Sequence, residues 1–211
     1  MNSTPKPNYQ IMLENTIKAL DGTRPRLLLH ACCAPCSSYV LEYLVTYFDI
    51  TLFFFNPNIS PKEEYNFRAA ELRRLITLMG LDSKVSLICA EYKPEVFQDV
   101  VKGREKLPEG SERCAECYRL RLAEAARIAA EGGFEYVTTT LSISPYKNAI
   151  WLNTIGEEEA QKHGVKYLFS DFKKKNGYKR SCELSEIYGL YRQNYCGCIY
   201  SKHQSEKTSI K

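Results

Sequence analysis

The chain has 211 residues, of which 44% are hydrophobic and 26% charged, and its formal net charge is +4. This length is enough for one domain with a substantial core. No apolar run approaches the roughly 20 residues that span a bilayer. The polar, proline-containing residues 1–10 also lack the apolar stretch of a signal peptide. We therefore expect a cytoplasmic protein without a membrane partner, whose mild basicity permits RNA binding but does not require it.

Segments with strand and helix patterns alternate along the chain. Compact apolar runs predict strands, and apolar residues at helical spacing predict helices. Ser60, Pro61 and Glu63 form a capping-box pattern at one helix start. In chain order the predicted elements are a helix over 9–20, a strand over 26–30, a helix over 37–48, a strand over 50–55, a helix over 61–79, a strand over 85–89, helices over 94–101 and 111–130, a strand over 135–141, a helix over 148–163, a strand over 165–169 and a helix over 185–191.

The alternation predicts a single α/β domain with a parallel sheet flanked by helices on both faces. We place this domain over residues 26–201, after an N-terminal helical extension over 1–25 and before a polar tail over 202–211. Ligands of such folds gather beyond the carboxyl ends of the strands. His30 ends the first predicted strand, and cysteines follow it where a glycine-rich phosphate loop would otherwise lie, so we predict no use of ATP.

Seven of the nine cysteines fall in three motifs. In a reducing compartment, clustered cysteines more often bind metal or carry out redox chemistry than form structural disulfides. The Cys-x-x-Cys turns 33/36 and 114/117 can together offer four thiolates to one centre. Structural zinc is one reading. Seven thiols exceed what a closed zinc site needs, which favours an iron–sulfur redox centre. The motifs are Cys32-Cys33-Ala34-Pro35-Cys36, Cys114-Ala115-Glu116-Cys117 and Cys196-Gly197-Cys198.

The last of these motifs has two cysteines that are separated by one glycine. Cys196 and Cys198 can close a small, strained ring, and strained disulfides tend to be labile and catalytic. As a dithiol the pair would deliver two electrons; alternatively, one or both are metal ligands. Cys89 and Cys182 lie outside the motifs and are expected to be ordinary buried or surface residues.

These motifs, in their order along the chain, resemble the QueH family of epoxyqueuosine reductases. The matches extend from about residue 26 to 201 and include much more than the cysteines. The similar stretches are 30–36, 56–59 with Glu64, Tyr65 and Arg68, 113–118 with Arg121 and Leu122, 138–141 with Ser144, Pro145 and Lys147, 171–173 with Gly177 and Tyr178, 180–185, 190–193 and 195–201.

The resemblance implies a nucleotide-hydrolase-like (HUP-like) sheet and an enzyme that removes the epoxide oxygen of epoxyqueuosine at the tRNA wobble position, giving queuosine and water. It implies a [4Fe-4S] cluster with a second, mononuclear metal (iron) beside it, and an electron donor that the sequence does not identify. By this resemblance Cys32, Cys33, Cys114 and Cys117 are cluster ligands. Cys36 is either a ligand of the second metal or exchanges with the cluster.

Deoxygenating an epoxide requires two electrons, two protons and help in breaking the C–O bonds, which a Lewis-acidic metal can give. The resemblance makes Cys196 and Cys198 the redox-active pair. For the proton donor we consider Asp171, His30 or a thiol. The structural alternatives are a hydrogen-bonded His30 and an Asp171 ion pair with Lys173, Lys174 or Arg180.

RNA contacts are expected in the stretch 171–180, which combines five cations with two aromatic residues. A charged surface loop is the alternative. The further candidates for RNA contact are Arg68, Arg73, Arg113, Arg119, Arg121 and Arg192. Two rival functions also remain open, a thiol–disulfide oxidoreductase and a zinc-stabilised module that binds RNA without catalysis.

Overall fold

Five strands alternate with helices along the chain. The structure is a computed structural model that describes residues 7–202. The strands are β1 (Arg26–His30), β2 (Asp49–Phe54), β3 (Val85–Cys89), β4 (Tyr136–Thr139) and β5 (Lys166–Tyr167). The helices are α1 (Tyr9–Ala19), α2 (Ala34–Leu44), α3 (Lys62–Leu78), α4 (Pro94–Val101), α5 (Glu112–Glu131), α6 (Ala149–His163) and α7 (Gly177–Ile187), and a 3₁₀ helix (Thr140–Ile143) follows β4 directly. The predicted tail over 202–211 lies, beyond Lys202, outside the described residues, as do residues 1–6 of the predicted extension.

The strands form one sheet in the order β3-β2-β1-β4-β5, and every neighbouring pair is parallel. The chain builds outward from β1 to β3 and then returns to place β4 on the other side of β1. The carboxyl ends of β1 and β4 therefore border the topological switch point, where open α/β sheets bind ligands. His30 pairs in register with Phe53 on one side and Thr139 on the other, so the cysteine-rich loop leaves the sheet at this point.

Both faces of the sheet are covered by helices. Leu27 and Leu29 of β1 belong to the core cluster on one face, and Leu28 belongs to the cluster on the other. This alternation follows the period of two in a strand, and burial on both faces explains why the strand reads as a continuous apolar run. Helix α1 adds Leu13 to the first cluster. The predicted α/β class and parallel sheet are confirmed.

The start of α3 differs from the prediction. The helix begins at Lys62 with Pro61 as its N-cap residue, and no side chain caps it. The N–H of Ser60 donates to the carbonyl of Gly197 at 3.0 Å. The predicted capping box of Ser60 and Glu63 is therefore wrong, because the Ser60 backbone is engaged with the C-terminal turn rather than with the helix.

The C-terminal third also differs in its boundaries. The helix predicted over 185–191 corresponds to α7, which begins at Gly177 and ends at Ile187, so both of its ends come earlier in the chain than predicted. A Cβ on Gly177 would lie 1.9 Å from the carbonyl oxygen of Phe172, so only glycine fits this helix start. Within residues 7–202, none of the helices combines the length and the apolar character that a membrane span requires.

Candidate metal centre and active site

Both Cys-x-x-Cys turns lie at helix starts. Cys33 is the N-cap residue of α2, with Pro35 in the first turn, and Cys36 lies within that turn. Cys114 and Cys117 lie in the first two turns of α5. The positive end of a helix dipole stabilises nearby negative charge, including that of a metal-bound thiolate. The local sequence thus places two pairs of sulfurs at the amino-terminal ends of two helices.

Cys32, Cys33 and Cys36 form a compact trio. Within residues 7–202, they are the one group of three potential metal-ligating side chains whose ligand atoms all lie within 4.8 Å of one another. Cys32 Sγ donates to Cys33 Sγ at 3.7 Å. Hydrogen bonds from Cys32 and Cys36 hold the pKa of the Cys33 thiol well below its ordinary value, and the pKa of Cys32 is correspondingly raised to about 11. Cys33 is therefore the most readily ionised thiol of the trio.

Two buried arginines add positive charge beside these sulfurs. Arg68 is 2% exposed and Arg121 is 1% exposed. Burial lowers the pKa of each guanidinium, but nearby negative charge outweighs this effect and raises the pKa above its ordinary value. For Arg68 this charge is mainly that of Cys33. For Arg121 it is that of Cys117, Cys196 and Cys32. Each Nη2 is buried and has no hydrogen-bond partner among the described residues. Buried donors without partners are rare in native proteins and indicate that an acceptor is expected there.

Cys114 and Cys117 lie on an adjoining wall rather than inside the trio. A narrow cleft is lined by Cys114, Cys117, Cys196 and Cys198, and it shares Arg121 with the larger cavity described below. Cys32 and Cys114 pack against the same apolar cluster. Burial, opposed by Arg121, raises the pKa of the Cys117 thiol to about 11. The fold thus brings all three cysteine motifs to one region, without placing the four predicted cluster ligands in one tight group.

The Cys196-Gly197-Cys198 turn is held by contacts to distant segments. Gly197 has a φ of +115°, and a Cβ there would lie 3.0 Å from Ile59 Cγ1, so the turn requires glycine. Arg68 Nη1 donates to the carbonyl of Cys196 at 3.3 Å. All nine cysteines are free thiols.

A polar network connects this turn to two other loops. The N–H of Cys196 donates to Ser201 Oγ at 3.1 Å, and Ser201 Oγ donates to Glu109 Oε2 at 2.7 Å. Glu109 Oε1 in turn accepts from Lys147 Nζ at 2.8 Å. Burial lowers the pKa of the Lys147 ammonium, but Cys196, Tyr118 and Glu109 raise it above its usual range, so Lys147 stays charged.

The trio and Cys196 face one large cavity, which has a volume of about 710 Å³. Its polar lining includes three cations and one carboxylate, namely Arg121, Lys147, Arg192 and Glu109. Three tyrosines, Tyr146, Tyr178 and Tyr195, line it as well. The cavity therefore combines clustered sulfur, positive charge and aromatic rings at the switch point of the sheet.

The two acids proposed from the sequence have structural partners. The carboxylate of Asp171 pairs with Lys173, as the structural alternative for Asp171 expects, and Asp171 does not line the cavity. Since a carbonyl only accepts, His30 Nε2 donates to the carbonyl of Phe55 at 3.0 Å, and Nδ1 accepts from the hydroxyl of Thr139 at 2.9 Å. Burial lowers the pKa of His30 to about 4, so the ring is neutral.

The expected RNA-binding stretch 171–180 is mostly engaged with the protein itself. Phe172 is 1% exposed, Lys175 pairs with Glu14, and Arg180 pairs with Glu42. Tyr178 is the residue of this stretch that lines the cavity. Three of the candidate arginines, Arg68, Arg113 and Arg121, are at most 2% exposed, so they do not offer surface contacts to phosphates. Arg119 pairs with Glu158 and Glu159, whereas Arg192 lines the cavity.

Comparison with known proteins identifies the family. A family model described as "Epoxyqueuosine reductase QueH" matches residues 27–204. The chain belongs to the QueH family. Among its relatives, the epoxyqueuosine reductase QueH of Streptococcus pyogenes serotype M1 is 42% identical over 205 residues, covering 95% of this chain and 80% of the relative. That of Staphylococcus epidermidis is 43% identical over 202 residues (93% and 85%), and that of Thermotoga maritima is 37% identical over 181 residues (83% and 89%). The resemblance inferred from the motifs is confirmed.

The structure adds residues that had no predicted role in this QueH-family site. Glu109, Lys147 and Ser201 join the three loops around Cys196, although 92 positions separate Glu109 from Ser201. Lys147 and Ser201 are part of the QueH-like stretches, which is the one signal in the sequence that marked them. Arg68 and Arg121 were expected to contact RNA and instead lie buried beside the thiols.

Proposed function

We propose that this QueH-family chain reduces epoxyqueuosine to queuosine at the wobble position of tRNA, using an iron–sulfur cluster and the Cys196–Cys198 pair. Membership of the family supports an oxidoreductase that acts on epoxyqueuosine. One observation carries the chemical part of the proposal: Cys32, Cys33, Cys36 and Cys196 line the same cavity of about 710 Å³. That volume lies in the range of roughly 300–1,000 Å³ that is typical of small-molecule sites.

The residues of the site fit a thiolate-bound iron centre. The donors are soft thiolates, which suit iron–sulfur clusters and zinc. The unpaired, buried N–H groups of Arg68 and Arg121 would offset the negative charge of a four-thiolate cluster. Cys32, Cys33, Cys114 and Cys117 would hold the [4Fe-4S] cluster, and Cys36 would bind a mononuclear iron beside it. Such centres supply electrons and a Lewis acid.

The electron count explains the role of the Cys-Gly-Cys turn. Removing the epoxide oxygen as water breaks two C–O bonds, forms a C=C bond, and consumes two electrons and two protons. Oxidation of the Cys196 and Cys198 thiols to one disulfide releases two electrons and two protons, which balances the reaction. An external donor must then return two electrons after each turnover.

The remaining cavity residues would orient the substrate and stabilise charge. The Lys147 ammonium stays charged and lines the cavity, where it can donate a hydrogen bond to the departing oxygen. The two thiols supply the protons, and His30 keeps a structural role because both ring nitrogens are occupied. Asp171, the acid predicted from the sequence, pairs with Lys173 and does not line the cavity, so we assign the protons to the thiols instead.

Turnover of the substrate tests the proposal. The anaerobically reconstituted protein, supplied with a chemical reductant, is incubated with tRNA that carries epoxyqueuosine, and the nucleosides are analysed by mass spectrometry. We expect the substrate nucleoside to be replaced by queuosine, which is lighter by one oxygen. Cluster-loaded protein that leaves epoxyqueuosine unchanged would overturn the proposal, and reduction of unrelated disulfides by the same sample would favour a thiol–disulfide oxidoreductase.

A further inference from the structure

The side chain of Tyr146 is largely exposed to solvent rather than packed against the protein. It is 80% exposed, and it is the most exposed large hydrophobic side chain within residues 7–202, ahead of Ile187 at 64%. A single exposed aromatic residue is not unusual by itself. Tyr146, however, also lines the large cavity that holds the cysteine trio and Cys196. Its ring therefore lies at the mouth of the proposed active site.

The backbone on either side of Tyr146 is firmly held. The N–H of Tyr146 donates to Ser144 Oγ at 3.3 Å, and the N–H of Lys147 donates to the Ser144 carbonyl at 3.2 Å. Lys147 is anchored by its ion pair with Glu109. Asn148 caps α6 by accepting from the N–H of Ile150 at 3.0 Å. An aromatic side chain on a fixed backbone can bind a flat ligand at low entropic cost.

The chemistry around the mouth is that of a single-stranded RNA site. Arg192 lies on the same cavity, with its guanidinium 5.9 Å from the ring centroid of Tyr178 and its Nη1 donating to Ser185 Oγ at 3.0 Å. Arg121 and Lys147 also line the cavity, but Arg121 is 1% exposed and Lys147 pairs with Glu109, so of these three cations Arg192 is the one that can reach a phosphate. Aromatic rings beside cations bind unpaired nucleotides, because the rings stack on bases and the cations contact phosphates.

We infer that Tyr146 is a stacking platform for a nucleotide that flanks the modified base in the anticodon loop. This inference rests on the proposed function, since the modified base would occupy the cavity and its chain neighbour would lie at the mouth. An anticodon loop presents unpaired bases on both sides of the wobble position, and one of them stacks on Tyr146. The stacking on Tyr146 thereby makes the protein bind the modified nucleoside more tightly within RNA than as a free nucleoside.

The test compares three variants in equilibrium binding of an anticodon stem–loop RNA at constant salt. Stacking of one base on an aromatic ring contributes about 1–3 kcal/mol, so Tyr146→Ala is expected to raise the dissociation constant about 5- to 150-fold. Tyr146→Phe keeps the ring and should stay within about twofold of wild type. Tyr47→Ala is the matched control, because Tyr47 is 38% exposed, lies just before the amino end of β2 and does not line the cavity.

An abasic substitution in the RNA identifies the partner of the ring. When the stacked base is removed, wild type should bind as weakly as Tyr146→Ala, and the variant should lose nothing further. Wild-type affinity of Tyr146→Ala would overturn the inference. It would also be overturned if Tyr146→Ala lost as much affinity on both single-abasic stem–loops, one lacking the 5′ neighbour of the wobble base and the other lacking the 3′ neighbour, as on the intact stem–loop. Wild-type protein that does not convert epoxyqueuosine in tRNA would instead overturn the proposed function, and conversion with an unchanged KM for Tyr146→Ala would overturn this inference alone.

Discussion

Replacing Ser201 by alanine tests the network that holds the Cys196-Gly197-Cys198 turn. Ser201 is 2% exposed, accepts the N–H of Cys196 at 3.1 Å and donates to Glu109 at 2.7 Å. Alanine removes the hydroxyl with little change in volume. The Cys196 amide then loses its acceptor, and the turn loses its connection to Glu109.

The size of the effect follows from these two bonds. Leaving a buried donor without its acceptor costs about 1–3 kcal/mol. For a chain of this length, 1 kcal/mol lowers Tm by about 2–4 °C, so we expect Tm to fall by about 2–12 °C. If the same free energy is lost from the transition state, kcat falls about 5- to 150-fold. Iron content should not change, because the Ser201 hydroxyl bonds to none of the proposed iron ligands.

Thermal unfolding, iron and sulfide analysis, and steady-state turnover together measure these quantities. Ser38→Ala is the matched control, since Ser38 is also fully buried but its hydroxyl bonds to the Pro35 carbonyl at 2.9 Å within α2. We expect the control to lose stability without a comparable loss of kcat. A Ser201→Ala enzyme with wild-type kcat would refute the reasoning that this hydroxyl positions the turn.

Three further predictions follow from the same structure. Cys196→Ser should keep the cluster and its colour but lose turnover, whereas Cys89→Ser, which changes an exposed thiol at the end of β3, should retain both. Gly197→Ala should reduce turnover with little loss of iron, because φ is +115° and the added Cβ would lie 3.0 Å from the nearest side-chain carbon. Burial raises the pKa of the Glu159 carboxyl, but its ion pairs with α5 and α6 hold the pKa below 4.5. The stabilisation is therefore present above pH 4.5 and is lost as the pH falls through the lowered pKa, so Glu159→Gln should lower Tm at pH 7 and differ less from wild type at pH 3.

Much of the sheet could be predicted from the sequence because its strands are short apolar runs with clear ends. β1 at Arg26–His30, β3 at Val85–Cys89 and α4 at Pro94–Val101 have the predicted boundaries. Asn148 marked the start of α6 and accepts the capping hydrogen bonds there. With parallel strands predicted, the position of the first cysteine motif beyond β1 followed from topology alone.

The features that the sequence did not reveal depend on contacts between distant segments. Ser60 has the local pattern of a cap, yet its N–H bonds to Gly197, more than a hundred residues away. Arg68 lies on a charged helix and resembles a surface residue, but the Cys196 carbonyl and Glu64 hold it in the interior. The hydrogen bond between Ser201 and Glu109 is likewise not indicated by any periodic pattern in the local sequence. Such contacts become visible when the loops are assembled around the sheet.

The composition and colour of the anaerobically purified protein test the central claim most directly, that the cysteine motifs assemble one iron–sulfur site. We predict about four sulfides and about five irons per chain, of which about four irons belong to the [4Fe-4S] cluster and one is the mononuclear iron, with broad visible absorbance that dithionite bleaches. Cys114→Ala should lose this absorbance and turnover together. A colourless protein that binds zinc at full stoichiometry after anaerobic reconstitution, or a Cys114→Ala variant with full colour, would contradict the account.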